Sequence, residues 1–178
     1  MIGFLRWIFF WVISGGNAWL RSYEAQAIFL LYKALNENEK KLFIKQLKLL
    51  DLVQRSPNGH ISQVFQMVDS TRLNWEACIK IPCHSKPERV FRVRMYDGGC
   101  LYLRGVLYIT HGAFTSLEFD TIPDYFHEKA IKITELYKNF DEIEDTFRAM
   151  RLLYDCEEIN SDEAEDIEEY IMKHPDNL

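Results

Sequence analysis

No stretch of the chain reaches the roughly 20 consecutive apolar residues that a membrane-crossing helix needs. Glycine and proline are sparse, at 8 and 5 of 178 residues, and no low-complexity linker divides the chain. Cysteine is sparse too. Cys78, Cys83, Cys100 and Cys156 match no small disulfide scaffold, so a reduced, cytoplasmic protein is expected. Phosphate-loop and dinucleotide glycine patterns are missing, and His127-Glu128 lacks the second histidine of a helical zinc motif. A basic footprint is also missing: the pI is about 5.4, which argues against nucleic acid as a partner.

What is present is an uneven distribution of charge. Residues 1–89 hold 12 Lys and Arg against 7 Asp and Glu, whereas residues 90–178 hold 9 against 20. Between Asp141 and Glu169 stand thirteen carboxylates and two basic side chains, Arg148 and Arg151. Such an asymmetry steers basic partners and repels nucleic acid. Carboxylates near a helix start complement its dipole, but the acidity runs on through Asp166, Glu168 and Glu169, past the reach of that effect.

Hydrophobic residues at 48% and aromatics at 14% specify a folded chain with a sizeable core. Period and punctuation divide it into three stretches of one α+β domain spanning residues 1–178. Residues 1–55 read as helical. Asn17 is placed to cap a helix through about Leu35, with Trp19, Tyr23, Ala27, Leu30, Leu31 and Ala34 on one face. Asn36 and Glu39 form a capping box for a second helix, with Leu42, Phe43, Leu47, Leu50 and Val53 inward and Lys41, Lys45 and Lys48 outward.

From 60 to 120 the period changes to two, which predicts an antiparallel sheet of about five strands. These are Ile61–Val68, Trp75–Ile81, Val90–Tyr96, Cys100–Ile109 and Phe114–Asp120, with Asp97-Gly98-Gly99 as a hairpin turn. The outer face carries Glu76, Lys80, Arg92, Arg94, Tyr102, Arg104, Tyr108 and Glu118, a mixture suited to cross-strand ion pairs. Residues 124–174 read as helical and acidic: a stripe of Phe140, Ile143, Phe147, Met150 and Leu153, then a last helix from Asn160 or Ser161. Helices at both ends are expected to cover mainly one face of the sheet.

Catalytic groups are scarce. Cys78, Cys83, His84 and Cys100 lack the paired knuckles of a structural zinc site, so no metal and no cofactor is expected. A thiol nucleophile needs an oriented base. Cys83 and His84 are sequence neighbours, and His111 would have to approach Cys100 or Asp97.

The segment Asp51-Leu52-Val53-Gln54-Arg55 with its glycine turn, and Phe114-Thr115-Ser116-Leu117-Glu118-Phe119 with Pro123, resemble a set of poorly characterised bacterial proteins. A small acidic α+β protein without active-site chemistry is also similar to immunity proteins that neutralise secreted bacterial toxins. That resemblance implies a non-enzymatic inhibitor of a basic toxin domain, with a nuclease as the expected target. The charge map places the contacts at Glu157, Glu158, Asp162, Glu165, Asp166 and Glu169, around an aromatic anchor at Tyr154 or Tyr170.

Two other readings stay open. Trp7, Phe10 and Trp11 of residues 1–14, together with Trp19, suit peripheral membrane contact by an adaptor, and residues 1–18 also suit an export signal. The third reading is a small Cys/His hydrolase.

Overall fold

The computed structural model describes residues 18–50, 52–55, 61–65, 67–68, 72–73, 80–83, 86–121 and 130–160. It is an α+β fold. In chain order the elements are β1 (Trp19–Leu20), α1 (Ser22–Ala34), α2 (Glu37–Leu47), β2 (Leu52–Arg55), β3 (Ile61–Phe65), β4 (Met67–Val68) and β5 (Arg72–Leu73). The long strands β6 (Glu88–Asp97), β7 (Cys100–Thr110) and β8 (Ala113–Thr121) follow, then β9 (Ile131–Lys132). A 3-10 turn over Ile133–Asn139 runs into α3 (Phe140–Met150), and β10 (Leu153–Ile159) comes last.

Six strands form one antiparallel sheet in the order β10-β6-β7-β8-β3-β2. Its centre is a meander whose two hairpins turn on two residues each, Gly98-Gly99 and His111-Gly112, all four with positive φ. That is the backbone a tight hairpin needs to match the strand twist. Gly112 is also required sterically, because a Cβ there would lie 2.6 Å from the carbonyl oxygen of Ile81.

The helices lie on one face. Phe91, Val93, Met95, Leu103, Leu107, Phe114, Leu117 and Phe119 project from the sheet into a core shared with Phe29, Phe43, Leu47, Phe140 and Phe147. Tyr23 meets Phe119 edge-on at 5.0 Å, and Phe43 meets Phe114 at 5.5 Å. Each fully buried side chain of this size contributes about 1.5–3 kcal/mol. On the other face, among the described residues, only a small apolar island is buried, Val90 and Val106 with Tyr108 and Ile159 against them.

Several expectations change. The first helix starts at Ser22 with Arg21 as its cap, so Trp19 lies in a strand and not on a helix face. Ala34 is exposed, not part of that apolar face. Val53 is buried, but on edge strand β2. Ile61–Val68 is two strands, the second paired only with β5 in a separate two-stranded sheet. Of the expected strand Trp75–Ile81, Lys80 and Ile81 are not in a strand, and residues 75–79 lie outside the described residues.

The largest correction concerns 153–159. These residues form an edge strand, and Leu153 is not a continuation of the helical stripe. Arg151 ends α3 in the left-handed conformation, φ 55°, and reverses the chain into the sheet.

Candidate functional site: the β10 edge

Both N-terminal helices are fastened to the sheet by one device. The glutamate three residues past each cap closes a capping box and also grips an arginine. In α1, Glu24 Oε2 accepts from the Arg21 amide at 2.7 Å, while its carboxylate takes the Arg55 guanidinium of β2 and the Ser62 hydroxyl of β3 at 2.6 Å. Glu24 is 0% exposed and Arg55 8%. In α2, Glu39 closes the box with Asn36, and Glu39 Oε1 accepts from Arg89 Nη1 of β6 at 2.7 Å. Arg89 then reaches across to β10, donating to both carboxylate oxygens of Glu158 at 3.0 and 2.8 Å.

Arginines of β6 hold the rest of β10. Arg94 bonds Asp155 at 3.0 Å and Glu157 at 2.7 Å, with Arg92 3.5 Å from Glu157. Register explains the pattern: Asp155 lies opposite Arg94 and Glu157 opposite Arg92. The hydrogen bond that Arg94 donates to Asp155 raises the Arg94 pKa above its ordinary value. The expected cross-strand pairing of the outer face is thus present, with Arg104–Asp120 and Tyr108–Glu118 continuing it on β7 and β8.

Period two sends Tyr154, Cys156 and Glu158 to the helix side and Leu153, Asp155, Glu157 and Ile159 to the other. The expected contact residues Tyr154, Glu157 and Glu158 are therefore close in space but divided between two faces of a strand. They do not form a helical surface. The carboxylates of Glu157 and Glu158 are already engaged by Arg92, Arg94 and Arg89. The complementary alternation of Arg92 and Arg94 with Asp155 and Glu157 is the signal in the sequence that could have revealed this strand. The other expected contacts, Asp162, Glu165, Asp166, Glu169 and Tyr170, and the final helix assigned to them, lie outside the described residues, as do residues 1–14.

What composition could not show is how much apolar surface this edge leaves in solvent. Leu153 is 69% exposed, Met150 44% and Tyr154 39%. Tyr154 is braced by the Phe147 ring at 5.3 Å, so it is exposed yet fixed. Across the sheet Leu153 pairs with Tyr96, which pairs with the exposed Leu101. Apolar side chains thus flank the first residues of β10 on both faces, and among the described residues no strand pairs its outer edge.

Cys100 and His111, considered for catalysis, are not brought together. His111 and Cys100 stand at opposite ends of β7, a span of about 35 Å at strand rise. Cys83 lies near the Ile81 and Ile109 carbonyls, likewise far along β7 from Cys100. His84 and Cys78 lie outside the described residues. Burial, with the Asp155 and Glu157 charges, pushes the Cys156 thiol up to about 12, so it stays protonated at neutral pH. Among the described residues no group of three or more His, Cys, Asp or Glu side chains could hold a metal ion.

A concavity of about 610 Å³ lies beside the β7–β8 turn, between Lys80, His111, Thr110, Thr115 and Gln63. Among the described residues no helix is long and apolar enough to cross a membrane. No protein-family model, no curated protein and no solved structure matches the chain.

Proposed function

We propose that the protein is a non-enzymatic inhibitor of the immunity type, which binds a basic toxin domain through the β10 edge. The observation that carries this reading is the edge itself. An open edge is ordinarily blunted by charge, a bulge or a covering segment. Here Leu153, Met150 and Tyr154 stand in solvent where a partner could add backbone hydrogen bonds and bury all three. Tyr154 serves as the preorganised anchor, and Asp141 and Glu142, exposed on the first turn of α3, supply attraction to a basic partner. The Arg92 and Arg94 pairs keep Asp155 and Glu157 from repelling one another before the partner arrives.

The test is affinity capture of the purified protein's partner from its native host's lysate at low and high salt, identified by mass spectrometry. A basic, salt-sensitive partner is expected, and Leu153→Arg with Tyr154→Ala should weaken its binding at least tenfold while leaving the circular dichroism unchanged. Equal capture by that double variant would overturn the assignment to β10. Recovery of lipid alone would favour the adaptor reading of residues 1–14.

A further inference from the structure

β10 lacks the usual protection of an edge strand. Such edges are ordinarily blunted by lysine, proline, a bulge or a covering segment. Leu153–Ile159 contains no lysine and no proline, and it pairs with β6 residue for residue without a bulge. Its carboxylates do not take over that role, because arginines of β6 hold Asp155, Glu157 and Glu158. The opposite edge differs. β2 has four residues, and β1 lies against it, the Trp19 carbonyl accepting a hydrogen bond from Arg55 at 2.7 Å.

The strand is also self-complementary. On the face away from the helices it reads Leu153, Asp155, Glu157, Ile159, which is apolar, acidic, acidic, apolar about Cys156. Side chains opposite each other in an antiparallel pair lie on the same side of the sheet, so two copies of β10 must meet in a register centred on a residue. Centring on Cys156 sets Leu153 against Ile159 of the second copy, Asp155 against Glu157 and Tyr154 against Glu158. Moving the centre by one residue either way sets an apolar side chain against a carboxylate and a carboxylate against itself.

The Cys156 register joins two apolar patches that each molecule leaves open. Leu153, 69% exposed, lies beside Tyr96, and Tyr96 beside the exposed Leu101. Ile159 lies beside Val90, and Val90 beside Tyr108. Across the two sheets these become one apolar row. The row next to it sets Arg94 and Asp155 against Glu157 and Arg92 of the second copy, two arginines with two carboxylates.

We propose that β10 pairs with β10 of a second copy about a twofold axis at Cys156, extending the sheet across a reversible homodimer. An edge that is its own complement closes at two copies. The dimer uses the edge assigned above to the toxin but does not depend on that reading. In the free protein the second copy covers the edge, and a bound partner displaces it.

Sedimentation velocity of the purified full chain alone tests this, with hydrogen exchange followed at rising concentration. A monomer–dimer equilibrium is expected, with exchange within Tyr154–Glu158 slowing as the dimer fills. Leu153→Glu, at an exposed position, should weaken the dimer at least tenfold with unchanged circular dichroism. Arg94→Gln should weaken it several-fold and make added salt strengthen it, because Asp155 then faces Glu157 of the second copy with less compensation. A monomer at every concentration, wild-type dimerisation of both variants, or slowing confined to Leu52–Arg55 would overturn the proposal. So would equal protection of β10 in dilute monomer, which would place the chain's own residues 1–17 or 161–178 on the edge. Capture of a basic toxin by a protein that stays monomeric would overturn the dimer and leave the inhibitor reading standing.

Discussion

The two capping glutamates use the same chemistry and serve different ends. Glu24 and Arg55 are sealed between α1 and the β2 edge, with Ser62 and the Arg21 amide taking up the remaining acceptor sites. Glu39 shares Arg89 with Glu158, a half-exposed carboxylate on the opposite edge strand. Burial decides what each arginine does. At β2 it closes the structure, because a lone charge there would have no compensation. At β10 it joins a helix start to a strand that water can reach, and so to the surface proposed to bind a partner.

Removing the sealed arginine should break this comparison most sharply. Arg55→Met leaves Glu24 charged and unpaired in the interior, so a loss of about 3–5 kcal/mol is expected in urea unfolding. A loss under about 1 kcal/mol would mean that water reaches Glu24 and that the two sites are alike. Arg89→Met should cost less, on the order of 2 kcal/mol, since Glu158 can turn to solvent while Glu39 keeps its capping bond. Its distinguishing effect should be local: faster hydrogen exchange at Cys156–Ile159 than in β7, which Arg55→Met would not produce selectively. Arg94→Gln should cost less than about 1 kcal/mol, because Arg94 and its half-exposed partners Asp155 and Glu157 all reach solvent.

Cys156 reports on the same strand chemically. Its thiol is raised from an ordinary value of 9.0 to about 12, first by burial and then by Asp155 and Glu157. The folded state therefore holds the proton after the unfolded chain has lost it. The stabilising contribution is full below pH 9 and is lost as the pH rises towards 12. At pH 8, iodoacetamide should modify the exposed Cys100 readily and Cys156 slowly, with mass spectrometry locating the adducts. Equal rates would show that β10 opens without help, and Arg89→Met should bring the two rates closer.

The parts of the fold that were legible in the sequence are those where one pattern stands alone. Phe91, Val93 and Met95 alternate with Arg92 and Arg94, Asp97-Gly98-Gly99 marks a hairpin, and Asn36 with Glu39 marks the start of α2. All three appear as expected. The edge strands were not legible for a physical reason. In Leu153–Ile159 neither face is continuously apolar, because one is paired to arginines and the other is half-buried. Leu153 also falls three residues after Met150, which extends the helical stripe on paper. β2 is only four residues long and follows a helix whose period Val53 fits.

The candidate site was partly visible. Tyr154, Glu157 and Glu158 were named from charge and aromaticity, but the partners that hold the two glutamates come from β6, some 60 residues earlier. Glu24 was missed because a glutamate near the start of a helix reads as solvated until its neighbours in three dimensions are known.

Gln46 gives the β7–β8 hairpin a history. Its amide bonds both sides of the turn, donating to the Gly112 carbonyl at 2.7 Å and accepting from the Phe114 amide at 3.0 Å. A hairpin with a tight turn can zip locally in about 1–10 μs. The groups that Gln46 occupies are met only when α2, 66 residues earlier in the chain, has docked. Register at this turn is thus proofread by a distant helix: a hairpin slipped by one residue presents the wrong carbonyl and forfeits both bonds. The central meander can form early, but it becomes committed only once α2 has arrived.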